Sequence, residues 1–164
     1  IEKARSKEYF YGVKFVRGAY MEKERERARE KGYQSPIQEN KAATDAAFDQ
    51  ALAISLDNID KLVIFCGSHN ENSNRYFASS MIERGLAVND DRCWFSQLYG
   101  MSDNLSFNLA AAGFNVAKYV PYGPVKSVVP YLSRRAEENT SVAGQTSREL
   151  NLIKKELKRR SKQK

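Results

Sequence analysis

Two adjacent arginines, Arg134 and Arg135, stand three and four residues after Tyr131, and Glu138 follows seven after it. At 3.6 residues per turn, all four share one side of a helix. A planar guanidinium holds a carboxylate through two parallel hydrogen bonds, so the group has the makings of a clamp for a small organic anion. The same residues also suit a solvated helix face with an intrahelical Arg–Glu pair, and spacing alone leaves both readings open. The clamp follows a run ending at Tyr119 and Val120, which enters the helix through Pro121 and Gly123.

Such a clamp needs a scaffold, and the chain alternates strand and helix signals. Val13 to Val16 is a short apolar strand candidate, and Met21 to Glu30 a charged helix ending near Gly32. Ser35, Pro36 and Gln38 read as N-cap, first helical position and third-position partner of a second helix running to about Leu56. Leu62 to Cys66 is the next strand, followed by a helix from about Asn72 to Arg84 with Gly85 as its stop. Trp94 to Gln97 is the third strand, with a helix from about Asp103 to Ala112 stopped by Gly113. Val116 to Val120 is the fourth, leading to the Tyr131 helix, in which Pro130 predicts a kink or a restart. A last helix spans roughly Ser147 to Arg160.

Four β-then-α units in this order imply a parallel sheet with helical crossovers. A closed (β/α)8 barrel takes about 250 residues, so four units amount to half of one. A half-barrel leaves two strand edges and an inner face uncovered, which invites association. The arrangements that resolve this are a partner half of the same barrel, a second copy, or an open doubly wound sheet.

Composition is that of ordinary globular material: 164 residues, 41% hydrophobic, nine glycines. The net charge of +7 is concentrated in Lys154 to Lys164, which alone carries +6. That argues against a nucleic-acid surface spread over the chain, and no aromatic residues are interleaved with the tail. Cys66 and Cys93 lie in apolar runs without CxxC spacing, so they read as buried thiols of a reducing compartment, and no metal site is expected. No apolar run approaches the roughly 20 residues of a membrane span. The chain opens on Ile1, for which the expectation is a piece of a longer protein.

Five blocks carry a resemblance. VRGAYMEKER from Val16, SHNE from Ser68, QLYGMSD from Gln97, YVPYGPV from Tyr119 and PYLSRRAEEN from Pro130 are similar, in order, to the proline dehydrogenase family, between about Tyr11 and Glu149. The resemblance implies an α/β fold, a (β/α)8 TIM barrel of which this chain supplies the last four β/α units plus a C-terminal helix. It divides the chain into residues 1–150, the carboxy-terminal half of the barrel, and 151–164, a basic helix or tail. It implies FAD-dependent oxidation of L-proline to Δ1-pyrroline-5-carboxylate, with hydride transfer to the flavin and electrons passed on to a quinone.

In such barrels the site lies at the carboxyl ends of the strands. Lys14, Arg17, Gly18, Ala19 and Tyr20 end or follow the first; Ser68 and His69 end the second; Gln97 and Leu98 the third; Tyr119 the fourth. The resemblance gives Lys14 and Tyr119 catalytic parts, with Lys14 beside the flavin where many members have arginine. It gives Arg134, Arg135, Tyr131, Tyr20, Leu98 and Glu138 to the substrate, and Lys14, Arg17, Gly18, Ala19, Ser68 and His69 to the cofactor. Tyr119 crowds the ring edge that a 4-hydroxyl would occupy, which favours proline over hydroxyproline; hydroxyproline oxidation and a different small-molecule barrel enzyme are the alternatives.

The expected partners are L-proline, a quinone, the amino-terminal half of the barrel and, for the lone fragment, another copy of itself. Nucleic acid is not expected. Peripheral membrane contact suits a quinone reductase, and the location is cytoplasmic, at the inner face of a bacterial membrane, or the mitochondrial matrix. The substrate-contacting lysine and the aspartate near it belong to earlier strands in the family, so the isolated chain is expected to be inactive.

Overall fold

The computed structural model describes the backbone of residues 1–141 and 145–162 and the side chains of residues 1–133 and 150–162. The chain divides into two compact units, Ile1–Val120 and Pro121–Lys164.

The first unit is a parallel sheet backed by helices. Its strands are β1 (Tyr11–Phe15), β2 (Leu62–Gly67), β3 (Cys93–Leu98) and β4 (Val116–Tyr119), paired in the spatial order β1-β2-β3-β4. Register is set by pairs such as Val13 with Ile64, Cys66 with Phe95 and Phe95 with Val116. The order never reverses, so right-handed crossovers put the helices on one face. A doubly wound sheet has a reversal and helices on both faces. The helices are α1 (Glu2–Ser6), α2 (Met21–Lys31), α3 (Lys41–Leu56), α4 (Glu71–Glu83) and α5 (Asp103–Ala111).

Alternation along the strands sorts side chains to two faces. Leu62, Ile64 and Cys66 of β2 and Cys93 and Phe95 of β3 turn to the helices and are buried. They pack with Phe48, Leu52 and Leu56 of α3 and Phe77 and Met81 of α4, with Val13, Phe15, Leu109 and Val116 at the margins. Phe77 and Phe95 have ring centroids 5.0 Å apart and no exposed surface. Burying each such ring contributes on the order of 1.5–3 kcal/mol. Burial also pushes the thiols of Cys66 and Cys93 up to about 12, so both are unreactive at neutral pH.

The helix expected from Ser35 begins at Lys41: Asn40 takes an extended conformation and its side chain accepts the Ala43 N–H at 2.9 Å. Ser35 Oγ is instead used by the Ile37 N–H at 3.3 Å in the preceding loop. The capping pattern at Ser35 is real but local; the stronger Asn cap sits directly before the apolar helix face.

The second unit consists of α6 (Val125–Ser141) and α7 (Gln145–Ser161). Pro130 lies inside α6, which is continuous from Val125, so the restart predicted before Tyr131 does not occur. At the sixth helical position the proline forgoes one backbone bond, and the helix runs on through it.

Candidate active site

The face of the sheet away from the helices carries a concavity of about 430 Å³, lined by Gly12, Val13, Lys14, Phe65, Ser96, Ala117, Lys118 and Tyr119. Lys14 and Tyr119 occupy the two edge strands, and the Lys14 ammonium lies 4.8 Å from the centre of the Tyr119 ring. Gly67 makes room for this lysine: a Cβ there would come within 3.0 Å of Lys14 Cε and 2.7 Å of the Phe15 carbonyl oxygen. Leu98, on the same face of β3, is buried; Tyr20, which begins α2 with a positive φ of 55°, is exposed.

Arg17 turns the other way. Continuing the parity of Val13 and Phe15, it reaches the helix side, with its guanidinium carbon 3.8 Å from the Phe48 ring centre. It donates to Ser68 Oγ at 2.7 Å and Ser73 Oγ at 2.6 Å. Its Nε is 2.7 Å from Asp45 Oδ1, and its Nη2 3.8 Å from Asp49 Oδ1. Neither carboxylate contact is aligned as a hydrogen bond, so the attraction there is ionic. Burial raises the Asp45 pKa, but the Lys41 hydrogen bond and the charges of Arg17 and Lys41 outweigh it and hold the carboxyl below its ordinary range. Gly18, with φ of 71°, and Ala19 follow as the loop into α2.

Ser68 and His69 sit on a buried polar lattice that sequence reading missed. The Ser68 carbonyl accepts from Asn74 Nδ2 at 3.0 Å and Gln97 Nε2 at 3.2 Å, and Ser106 Oγ donates to Gln97 Oε1 at 2.9 Å. Gln97 and Asn74 are almost completely buried. Amides at such positions must be hydrogen-bonded, and here they tie β2, β3, α4 and α5 together. The detectable signal was parity, since Gln97 continues the helix-facing series Cys93 and Phe95.

His69 Nδ1 is 2.9 Å from Ser102 Oγ, and the Leu98 N–H reaches its Nε2 at 3.5 Å. With Nε2 as acceptor, Nδ1 carries the proton and donates to Ser102, an assignment made from this network. Burial and then the charge of Lys118 keep the His69 pKa below its ordinary 6.5, so the ring is neutral at neutral pH. Lys118 is held on the Met101 carbonyl at 2.8 Å and Asp103 Oδ1 at 2.7 Å.

Lys14, Leu98 and Tyr119 are thus brought to the concave face, while Ser68 and His69 are fixed at the carboxyl end of β2. Tyr131 is half-buried on α6 in the second unit. Arg134, Arg135 and Glu138 belong to the same helix, but their side chains lie outside the described residues.

A parallel sheet in unreversed order with helices on one face is the arrangement of barrel-type α/β folds. The model of the family described as proline dehydrogenase matches residues 1–148, and the chain belongs to that family. It is 46% identical to a proline dehydrogenase 1, mitochondrial, of Homo sapiens over 98% of this chain and 27% of that protein. It is 43% identical to a hydroxyproline dehydrogenase of Xenopus laevis over 98% of this chain and 35% of that protein. Among solved structures, a proline utilization A (PutA) protein from Bdellovibrio bacteriovorus inactivated by N-propargylglycine superposes with a TM-score of 0.77 at 27% identity, covering 87% of this chain and 15% of that one. The chain therefore spans about a quarter to a third of the length of the curated relatives it matches.

Proposed function

We propose that the chain supplies the last four β/α units of a (β/α)8 barrel and a C-terminal helix, with residues 1–150 as the barrel half and 151–164 as a basic tail. The whole enzyme oxidises L-proline to Δ1-pyrroline-5-carboxylate with FAD and passes the electrons to a quinone. The observation that carries this reading is the Lys14–Tyr119 pair over the concave face, on strands that a completed barrel would turn inward.

The residues present fit a flavin. Gly12, Ser96 and Ala117 put little or no side chain into the bed of the concavity beside Phe65, and a Cβ added at Gly12 would meet nothing within 4 Å. A planar ring system suits that bed, and the Lys14 ammonium suits the electron-rich form of such a ring. FAD, when bound, supplies the acceptor for the hydride that leaves the ring carbon beside the proline nitrogen.

The protein's share is holding, orienting and desolvating, with no side-chain nucleophile. Lys14, the backbone of Arg17, Gly18 and Ala19, Ser68 and His69 hold the cofactor; Gly18 permits close backbone approach. The Arg17 side chain, engaged by Asp45, Asp49, Ser68 and Ser73, supports the site through Ser68. Arg134 and Arg135 hold the substrate carboxylate, Glu138 orients them, and Tyr131, Tyr20, Leu98 and Tyr119 wall the imino-acid ring. The amino-terminal half supplies the rest of the site, so the isolated 164-residue chain is inactive and its open edges favour self-association. A mitochondrial location carries over from the names of the relatives.

Hydroxyproline is the second reading, favoured by the comparable identity to the Xenopus laevis protein. Turnover on L-proline and on 4-hydroxyproline by the whole protein separates the two. Proline is expected to be the better substrate, and Tyr119→Ala is expected to narrow the gap. A preference for hydroxyproline in the unaltered protein overturns the substrate assignment.

A further inference from the structure

Three cations stand near the carboxyl ends of the strands, and their partners differ. Arg17 faces Asp45 and Asp49, and Lys118 is bound to Asp103 at 2.7 Å, so carboxylates offset both charges. Lys14 has no carboxylate partner among the described residues; its ammonium meets the Tyr119 ring, 4.8 Å from the centroid.

That difference has a consequence for the concavity. An ion pair fixes an ammonium and cancels its charge. An aromatic face attracts the same ammonium through its quadrupole and carries no net charge, so the cation is oriented with its positive charge still available to a third group.

The path that the lysine takes is built into β2. Lys14 is opposite Phe65 in the register, yet its Cε lies beside Gly67, two residues nearer the carboxyl end, where an added Cβ would come within 3.0 Å. With no side chain at Gly67, the stem leans over β2 and reaches across the concavity toward Tyr119 on the opposite edge strand.

We propose that Tyr119, helped by the gap at Gly67, is a positioning residue for the Lys14 ammonium: it holds an uncancelled positive charge in the concavity and thereby raises the reduction potential of the flavin bound there. The inference rests on the flavin reading above and gives Tyr119 a task separate from walling the imino-acid ring. A cation held nearby favours the electron-rich, reduced flavin over the oxidised one, and an ammonium released into water does so less.

Two measurements test it. In the 164-residue chain, proton NMR reads the ring current of Tyr119 on the terminal methylene of Lys14, a signal identified by its loss in Lys14→Met. It is expected upfield of the fully solvated lysines, to stay there in Tyr119→Phe and to join them in Tyr119→Leu. Tyr119 is 46% exposed on an edge strand, so neither change removes core packing. In the whole flavoprotein, equilibration with a reference dye reads the midpoint potential. Tyr119→Leu is expected to shift the equilibrium about fivefold toward oxidised flavin, about 20 mV for a two-electron couple, and Lys14→Met to shift it further. Tyr119→Phe is expected to leave the potential in place, and Tyr119→Leu to add nothing in the Lys14→Met background.

An ordinary lysine signal for Lys14 in the unaltered chain overturns the positioning. A potential that Tyr119→Leu leaves unchanged, or changes equally with and without Lys14, overturns the tuning while the flavin reading stands. A whole protein that carries no flavin overturns the flavin reading, and the tuning with it.

Discussion

Arg17 Nη1 lies 2.7 Å from Ser68 Oγ, a bond that fastens the loop after β1 to the end of β2. The same guanidinium faces two aspartates of one helix, Asp45 and Asp49, so its charge is spent inside the fold. Removing it takes from Asp49 its guanidinium neighbour and leaves Asp45 to Lys41. Arg17→Met is therefore expected to destabilise the chain by about 2–4 kcal/mol. Urea unfolding measures this; a loss below about 0.5 kcal/mol would mean that the cluster is loosely solvated and not a latch.

Gly67→Ala tests the closeness of β2 to the strand that carries Lys14. Its Cβ would stand 2.7 Å from the Phe15 carbonyl, and a backbone oxygen in a paired strand has little freedom to move. The expected cost is about 1–3 kcal/mol, the range for overpacking. A thermal melt that matches the unaltered chain would show that the two strands separate more readily than their register implies.

His69 gives the stability a pH signature. Its folded pKa lies below 6.5, so between those values the unfolded chain binds the extra proton and stability falls as pH drops. The histidine's contribution is complete above the unfolded value and is lost as pH falls toward the folded one. The difference in unfolding free energy between the unaltered chain and His69→Gln should therefore shrink from pH 7.5 to pH 5. Growth of that difference over the same window would mean a protonated, ion-paired ring.

The strands were largely legible because short apolar and aromatic runs between polar segments leave few alternatives, as at Leu62–Gly67 and Cys93–Leu98. The start of α3 was not, since Ser35 and Asn40 both offer capping chemistry and only the register of Phe48 and Leu52 against the sheet chooses between them. The residue blocks brought Ser68, His69 and Tyr119 into view, and the first strand candidate brought Lys14. They said nothing of the direction of Arg17, which depends on strand parity and on carboxylates contributed by α3, more than 25 residues away. The Asn74–Gln97–Ser106 lattice was hidden for a similar reason: polar residues on an apolar face make sense once their partners from other elements are known.

The most direct measurement is the flavin absorbance of this chain combined with the amino-terminal half of the proposed barrel, under nitrogen, before and after L-proline. The account expects flavin to be retained by the complex and its band near the visible to bleach on adding proline, with Lys14→Met slowing the bleaching and the chain alone giving none. A folded complex that holds no flavin, or holds it and stays coloured with proline, would contradict the proposed chemistry.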